Sequence, residues 1–214
     1  MSIVLYFDAD TGEERIRVDE RIDIRPLLEE KFIILDACVI FPAILPRRKR
    51  NVQAIKECIE RLHRKRNRWT TVEKCTRRQI ELVNSIEDGR FQRKGYYFGV
   101  TDTVFDELYG LGKASRQDVK KWFDGVKDNV YQIYLPLNDF RKRYKTLSDN
   151  LSDDGDFSVA IASYSLGSPF ASEDYWCFDR RVMKIFGEMY RKRWGMKRKF
   201  EKHDSESLIM RLKL

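Results

Sequence analysis

Between Phe32 and Ile40 the chain reads FIILDACVI, an apolar run broken by a single aspartate. The run is rich in β-branched residues and does not alternate with polar ones, which predicts a central strand buried on both faces. Upstream, IVLYF (3–7) and RIRVD (15–19) flank the turn-rich DADTGEE and predict a β-hairpin. Two helices are expected over 51–66 and 70–87; in the second, Val72, Cys75, Ile80, Val83 and Ile86 recur at helical spacing before EDGR closes it. YYFGV (96–100) reads as a strand, and TDTVFDELYGLG (101–112) as a helix opened by a capping threonine and ended by glycines.

The alternation continues to the C-terminus. SRQDVKKWFDGV predicts a helix capped by Ser115, VYQIYL (130–135) a strand and NDFRKRYKTLSD a helix. A further helix opens near Gly155, runs to Leu166 and is stopped by Gly167. SPFAS (168–172) reads as a short strand, RRVMKIFGEMYRKRW as a helix, KRKFE as a last strand and SESLIMRLKL as a closing helix. Strands separated by helices predict an α/β domain around a mainly parallel sheet. With no repeats or linkers, the expected organisation is an N-terminal hairpin extension (1–30) on one domain (31–214), the latter carrying a basic helical insertion at about 45–94.

Charge sharpens this picture. The 214 residues carry a net charge of +8, unevenly spread. Residues 1–30 hold nine acids against four bases, whereas residues 47–94 hold sixteen Lys/Arg against six acids. Arg47, Arg48, Lys49 and Arg50 begin that basic stretch, HRKRNR (63–68) lies within it, and RKRWGMKRK (191–199) forms a second block with Arg191, Lys192 and Arg193. Such blocks point to a polyanion, because Lys and Arg gain affinity by releasing counterions from phosphates. Hydrophobic residues make up 42% of the chain, enough for a core, and no apolar run approaches the ~20 residues of a membrane span. The N-terminus lacks a signal-peptide pattern. Cys38, Cys58, Cys75 and Cys177 include no C-x-x-C pair, so reduced, buried thiols in a cytoplasmic protein are expected.

The acids are where chemistry is expected. Asp36 ends the first buried strand, Glu107 lies one to two turns into the helix after YYFGV, Asp156 starts a helix of small residues, and Asp174 follows SPFAS. A parallel sheet brings such β-to-α junctions to one rim, where ligands of open α/β sheets bind. Carboxylates gathered there repel one another, and a hard divalent cation such as Mg²⁺ or Mn²⁺ relieves that cost. Asp153 and Asp154 compete with Asp156 for its place, and Glu173 or Asp179 could supplement Asp174.

In this order, FIILDACVI, TDTVFDELYG and LSDDGDFSVAIASYSLGSPFASEDYWCF resemble the PIN-domain nucleases. In that family an Asp ends the first strand, a Glu sits in a later helix, an Asp opens a small-residue helix, and a fourth acid follows in a Thr/Ser-x-Asp turn. The resemblance maps these acids onto Asp36, Glu107, Asp156 and Asp174, with Ser172, or Thr101, as a supporting hydroxyl. It implies a three-layer α/β/α sandwich and Mg²⁺- or Mn²⁺-dependent hydrolysis of RNA phosphodiesters. It admits an antitoxin-like protein partner, or a second copy of the chain, since such domains often pair. The N-terminal hairpin and the basic insertion depart from compact members, and the cysteines cannot supply the zinc ribbon of the ribosomal-RNA-maturing ones.

Other readings compete. The same fold could bind RNA without cutting it. VLYFDADTG (4–12) superficially resembles the Asp-x-Asp-x-Thr motif of haloacid-dehalogenase-like phosphatases, but Thr11 comes one position too early, and a hairpin turn explains it more simply. His63 and His203 read as surface residues, and the four tryptophans as packing, with Trp194 the candidate for stacking on a base.

Overall fold

The computed structural model describes residues 2–19, 31–63, 73–110, 113–174, 177–195, 198 and 200–213. Among them lie seven strands: β1 (Ser2–Phe7), β2 (Glu14–Val18), β3 (Phe32–Leu35), β4 (Tyr97–Thr101), β5 (Val130–Tyr134), β6 (Phe170–Ala171) and β7 (Lys202–His203). The helices are α1 (Ala37–Ile40), α2 (Val52–His63), α3 (Glu73–Glu87), α4 (Asp102–Tyr109), α5 (Lys113–Val126), α6 (Leu137–Arg143), α7 (Lys145–Ser148), α8 (Asp154–Leu166), α9 (Arg180–Trp194) and α10 (Ser205–Lys213).

The strands form one sheet in the order β2-β1-β5-β4-β3-β6-β7, parallel except for the β1–β2 hairpin. β3 sits within it with all four residues fully buried, as an unbroken apolar strand requires. Phe98 and Thr101 lie on opposite faces of β4: Phe98 meets the Phe91 ring, and Thr101 bonds Ser158 of α8. Both faces of β4 are thus covered, and a mostly parallel sheet with ten helices around it among the described residues is compatible with a three-layer arrangement.

The N-terminal hairpin is part of this sheet, because β1 lies parallel to β5. Its turn is held by the Asp8 carboxylate, which accepts from the backbone N–H of Asp10 and Thr11 and from the Thr11 hydroxyl. These bonds hold the Asp8 carboxyl below its ordinary range. The DADTG stretch is therefore committed to turning the chain.

Several boundaries differ from the sequence reading, for local reasons. The strand at 32–40 stops at Leu35, because the chain turns into α1 directly after Asp36. Helix α5 begins at Lys113, which puts Ser115 inside the helix rather than at its cap. The helix expected over 138–149 is two short helices that meet at Tyr144, whose backbone leaves the helical region (φ −109°, ψ 52°). The last strand is Lys202–His203, so Phe200 and Glu201 precede it. Residues 64–72, including most of HRKRNR, lie outside the described residues.

His203 is 7% exposed, against the expectation of a surface histidine. It is enclosed because residues 202–203, rather than the KRKFE segment, pair with β6. The His63 side chain, Trp69 and Trp176 fall outside the described residues.

Candidate metal centre

The sheet changes direction at one place. From β3 the chain proceeds to β4 and β5 on one side, whereas β6 and β7 lie on the other. Such a switch point opens a crevice beyond the carboxyl ends of the two central strands. Asp36 follows β3 into that crevice, and Ser172 and Asp174 follow β6.

Asp36 is 4% exposed and occupies the N-terminal flank of α1, but its carboxylate makes no capping bond there. Instead Oδ2 accepts from the Ser172 hydroxyl at 2.7 Å and from the Cys38 thiol at 3.0 Å. The same Ser172 oxygen accepts from the Asp174 backbone N–H at 3.0 Å, and the Cys38 sulfur accepts from the Glu173 N–H at 3.0 Å. Two neutral side chains therefore join the end of β3 to the loop after β6. The neighbouring strand supports the arrangement, since the His203 carbonyl accepts from the Ser172 N–H. Burial pushes the Asp36 carboxyl up, the nearby Asp174 charge adds to this, and the Cys38 and Ser172 bonds oppose it.

Asp156 reaches the crevice from the first turn of α8 and is 6% exposed. Burial first, then the charges of Asp36, Asp174 and Asp153, raise its carboxyl to about 8, against a hydrogen bond from Cys177 that lowers it. Asp174 Oδ1 accepts from the Cys177 backbone N–H at 2.8 Å. Asp156, Asp174 and Cys177 each place one ligand atom within 4.8 Å of the others. Two carboxylate oxygens and a sulfur at that spacing could hold a divalent cation. Burial and the two carboxylates hold the Cys177 thiol well above its ordinary range.

Glu107 approaches from α4. Its carboxylate lies over the Gly155 backbone: a Cβ there would sit 2.6 Å from Glu107 Oε2 and 3.1 Å from Asp153 Oδ1. Glycine is thus what lets the Glu107 carboxyl group approach the start of α8. Lys202 brings an ammonium to the other side. Its Nζ donates to the Asp174 carbonyl at 3.2 Å and stands 5.8 Å from the centre of the Phe178 ring. Burial lowers its affinity for the proton, and the nearby Asp174, Asp36 and Glu173 carboxylates raise it.

Asp36, Asp156 and Asp174 therefore come from three separate segments to one crevice, with Ser172 bound to Asp36, while Glu107 lies over Gly155 at the start of α8. The remaining candidates do other work. Asp153 caps α8, accepting from the N–H groups of Gly155 and Asp156. Asp154 is exposed and paired with Arg141 at 2.7 Å. Asp179 caps α9 through the Val182 N–H, and Glu173 accepts from the Ser205 N–H at the start of α10. Thr101 caps α4 and bonds Ser158, fastening α8 to β4.

The basic candidates also divide. Arg48, Lys49, Arg191 and Lys192 are exposed. Arg47 is exposed but engaged with Asp88 at 2.6 and 3.1 Å. Arg50, with 2% of its side chain exposed, pairs with Glu87 and donates to the Pro42 and Leu45 carbonyls, so it is an internal strut. Arg193 makes a bidentate pair with Glu14 at 2.7 and 2.9 Å. The Trp194 ring packs on Gly167, donates to the Tyr164 carbonyl and lies beside the guanidinium groups of Arg193 and Arg198. It does not offer the open face that stacking on a base needs.

Three residues at the crevice are additions to the sequence reading: Cys38, Cys177 and Lys202. Both cysteines had a signal in their spacing, two residues after Asp36 and three after Asp174. They are half-buried beside carboxylates, while Cys58 is buried as expected, and the Cys75 side chain lies outside the described residues. Compared with family models, curated proteins and solved structures, the chain matches none.

Proposed function

We propose that this chain is a divalent-metal-dependent endoribonuclease of the PIN type, acting on single-stranded or structured RNA. The observation that carries this reading is the meeting of Asp36, Asp156 and Asp174 in one crevice, where burial and the neighbouring carboxylates push the Asp36 and Asp156 carboxyls up. Three carboxylates this close are costly unless a cation or a proton joins them.

Asp156 and Asp174, with Cys177, would hold the ion. Asp36 is fixed by Ser172 and Cys38 so that its position does not depend on the ion. Glu107, lying over Gly155, closes the crevice on the α4 side. A bound Mn²⁺ or Mg²⁺ would supply a water acidic enough to attack at neutral pH and neutralise charge on the phosphodiester. The exposed Arg48, Lys49, Arg191 and Lys192 are available to phosphates along the strand.

The test is cleavage of end-labelled single-stranded RNA by the pure protein in Mn²⁺, in Mg²⁺ and in a chelator, alongside Asp156→Asn and Asp36→Asn. Cation-dependent products that vanish in both variants support the reading. Tight RNA binding with no products in any condition would leave a non-cutting RNA-binding module instead.

A further inference from the structure

The acids of the crevice fall into two groups. Asp156, Asp174 and Cys177 form the set with cation-ligand spacing. Asp36 lies outside that set, and its Oδ2 accepts from Ser172 and Cys38. Beside Asp36 and Asp174, on the flank formed by β7, the charge present is an ammonium. Lys202 pairs in register with Phe170 of β6, which fixes the root of its side chain. Its Nζ is held by the Asp174 carbonyl and the Phe178 ring. The carboxylates it faces are Asp174, Asp36 and Glu173, with the neutral Cys38 thiol beside them.

We infer that Lys202 takes the place of a second cation, making the crevice a centre of one metal ion plus one lysine. This rests on the metal-dependent reading above. Two-ion phosphodiester sites use paired charges to stabilise the attacking and leaving oxygens. An ammonium tethered among carboxylates supplies one of those charges without a binding equilibrium. Lysine suits the place better than arginine would, because its charge is compact and its three donors rotate freely. One donor serves the Asp174 carbonyl, and the others can hold a non-bridging phosphate oxygen. Lys202 is thereby a positioning residue for the scissile phosphate, and it limits the crevice to a single ion.

The experiment is calorimetric titration of metal-free protein with Mn²⁺ alone, without RNA, for the wild type, Lys202→Met and Lys202→Arg. The expected result is one Mn²⁺ per chain in the wild type and in Lys202→Arg, and two in Lys202→Met. Thermal melting checks that each variant folds, and Lys202→Gln replaces Lys202→Met if that variant does not. Two ions in the wild type overturn the inference, as does a Lys202→Met protein that still takes only one, however tightly. If the ion counts behave as expected but no RNA is cut, the nuclease reading fails while the role of Lys202 stands. If RNA is cut by a wild type holding two ions, the reverse holds. No uptake of Mn²⁺ by the wild type overturns both.

Discussion

Two of the described regions that bury carboxylates treat them oppositely. Where the hairpin meets α9, the Glu14 side chain is 6% exposed and receives a bidentate Arg193 together with the Tyr144 hydroxyl. Its charge is balanced by a guanidinium whose fork matches the carboxylate. In the crevice, Asp36 and Asp156 receive a hydroxyl and thiols, and among the described residues the Lys202 ammonium stands beside the group. A contact built for stability closes its charge balance from within. On the proposed reading, a crevice that gathers carboxylates is suited to receive a divalent cation.

Breaking this contrast gives its largest effect at the hairpin. Arg193→Met strands Glu14 without its charge partner, and urea denaturation should show a loss of about 2–3 kcal/mol. That lies below the full buried-pair cost because a quarter of the Arg193 side chain reaches solvent. In the crevice the sign reverses. Metal-free, folded Asp156 keeps its proton to about pH 8, whereas the unfolded chain releases it near 3.8. The folded state therefore binds more protons between these values, so stability falls as pH rises through that range. Denaturation across that range should show the fall in the wild type, a flatter profile in Asp156→Asn, and recovery when Mn²⁺ is added.

Smaller changes sharpen the picture. Ser172→Ala removes the hydroxyl that joins Asp36 to the Asp174 loop and should cost roughly 10- to 100-fold in Mn²⁺-dependent cleavage, measured as kcat/KM. Gly155→Ala drives a methyl group against the Glu107 carboxylate. Because the end of a flexible side chain can move aside, cleavage should fall roughly tenfold while the melting temperature changes little. Smallest is Cys177→Ser, which replaces sulfur by oxygen in the cation-spaced set and should move the Mn²⁺-to-Mg²⁺ rate ratio toward Mg²⁺ by a few-fold.

Much of this was legible in the residues because buried strands and β-to-α junctions leave strong marks. FIIL carries no alternation, and it is a fully buried inner strand. Asp36, Asp156 and Asp174 each adjoin a strand end or helix start, so the order of strands in the sheet carries them toward one crevice. Helix α8 matched its expected ends closely, because Asp153 caps it and Gly167 terminates it at φ 63°. Less legible was the use each charge finds. Arg50 sits in the basic run PRRKRN, but the fold turns it inward to Glu87. Arg193 belongs to the RKRWG block, and its partner lies 179 residues away on β2. Pairings of that kind depend on which strands become neighbours, and neither local composition nor periodicity encodes that choice. Lys202 escaped notice for the same reason: its meaning comes from β7 lying against β6.

The central claim is that the crevice beyond β3 and β6 is built to take a divalent cation. Crystals soaked in Mn²⁺ and measured for anomalous scattering test it most directly. The account predicts a peak against Asp156 and Asp174, close to Cys177, that disappears in Asp156→Asn. An empty crevice at saturating Mn²⁺, or a peak only elsewhere, such as at the acidic Asp8–Asp10 turn, would contradict it.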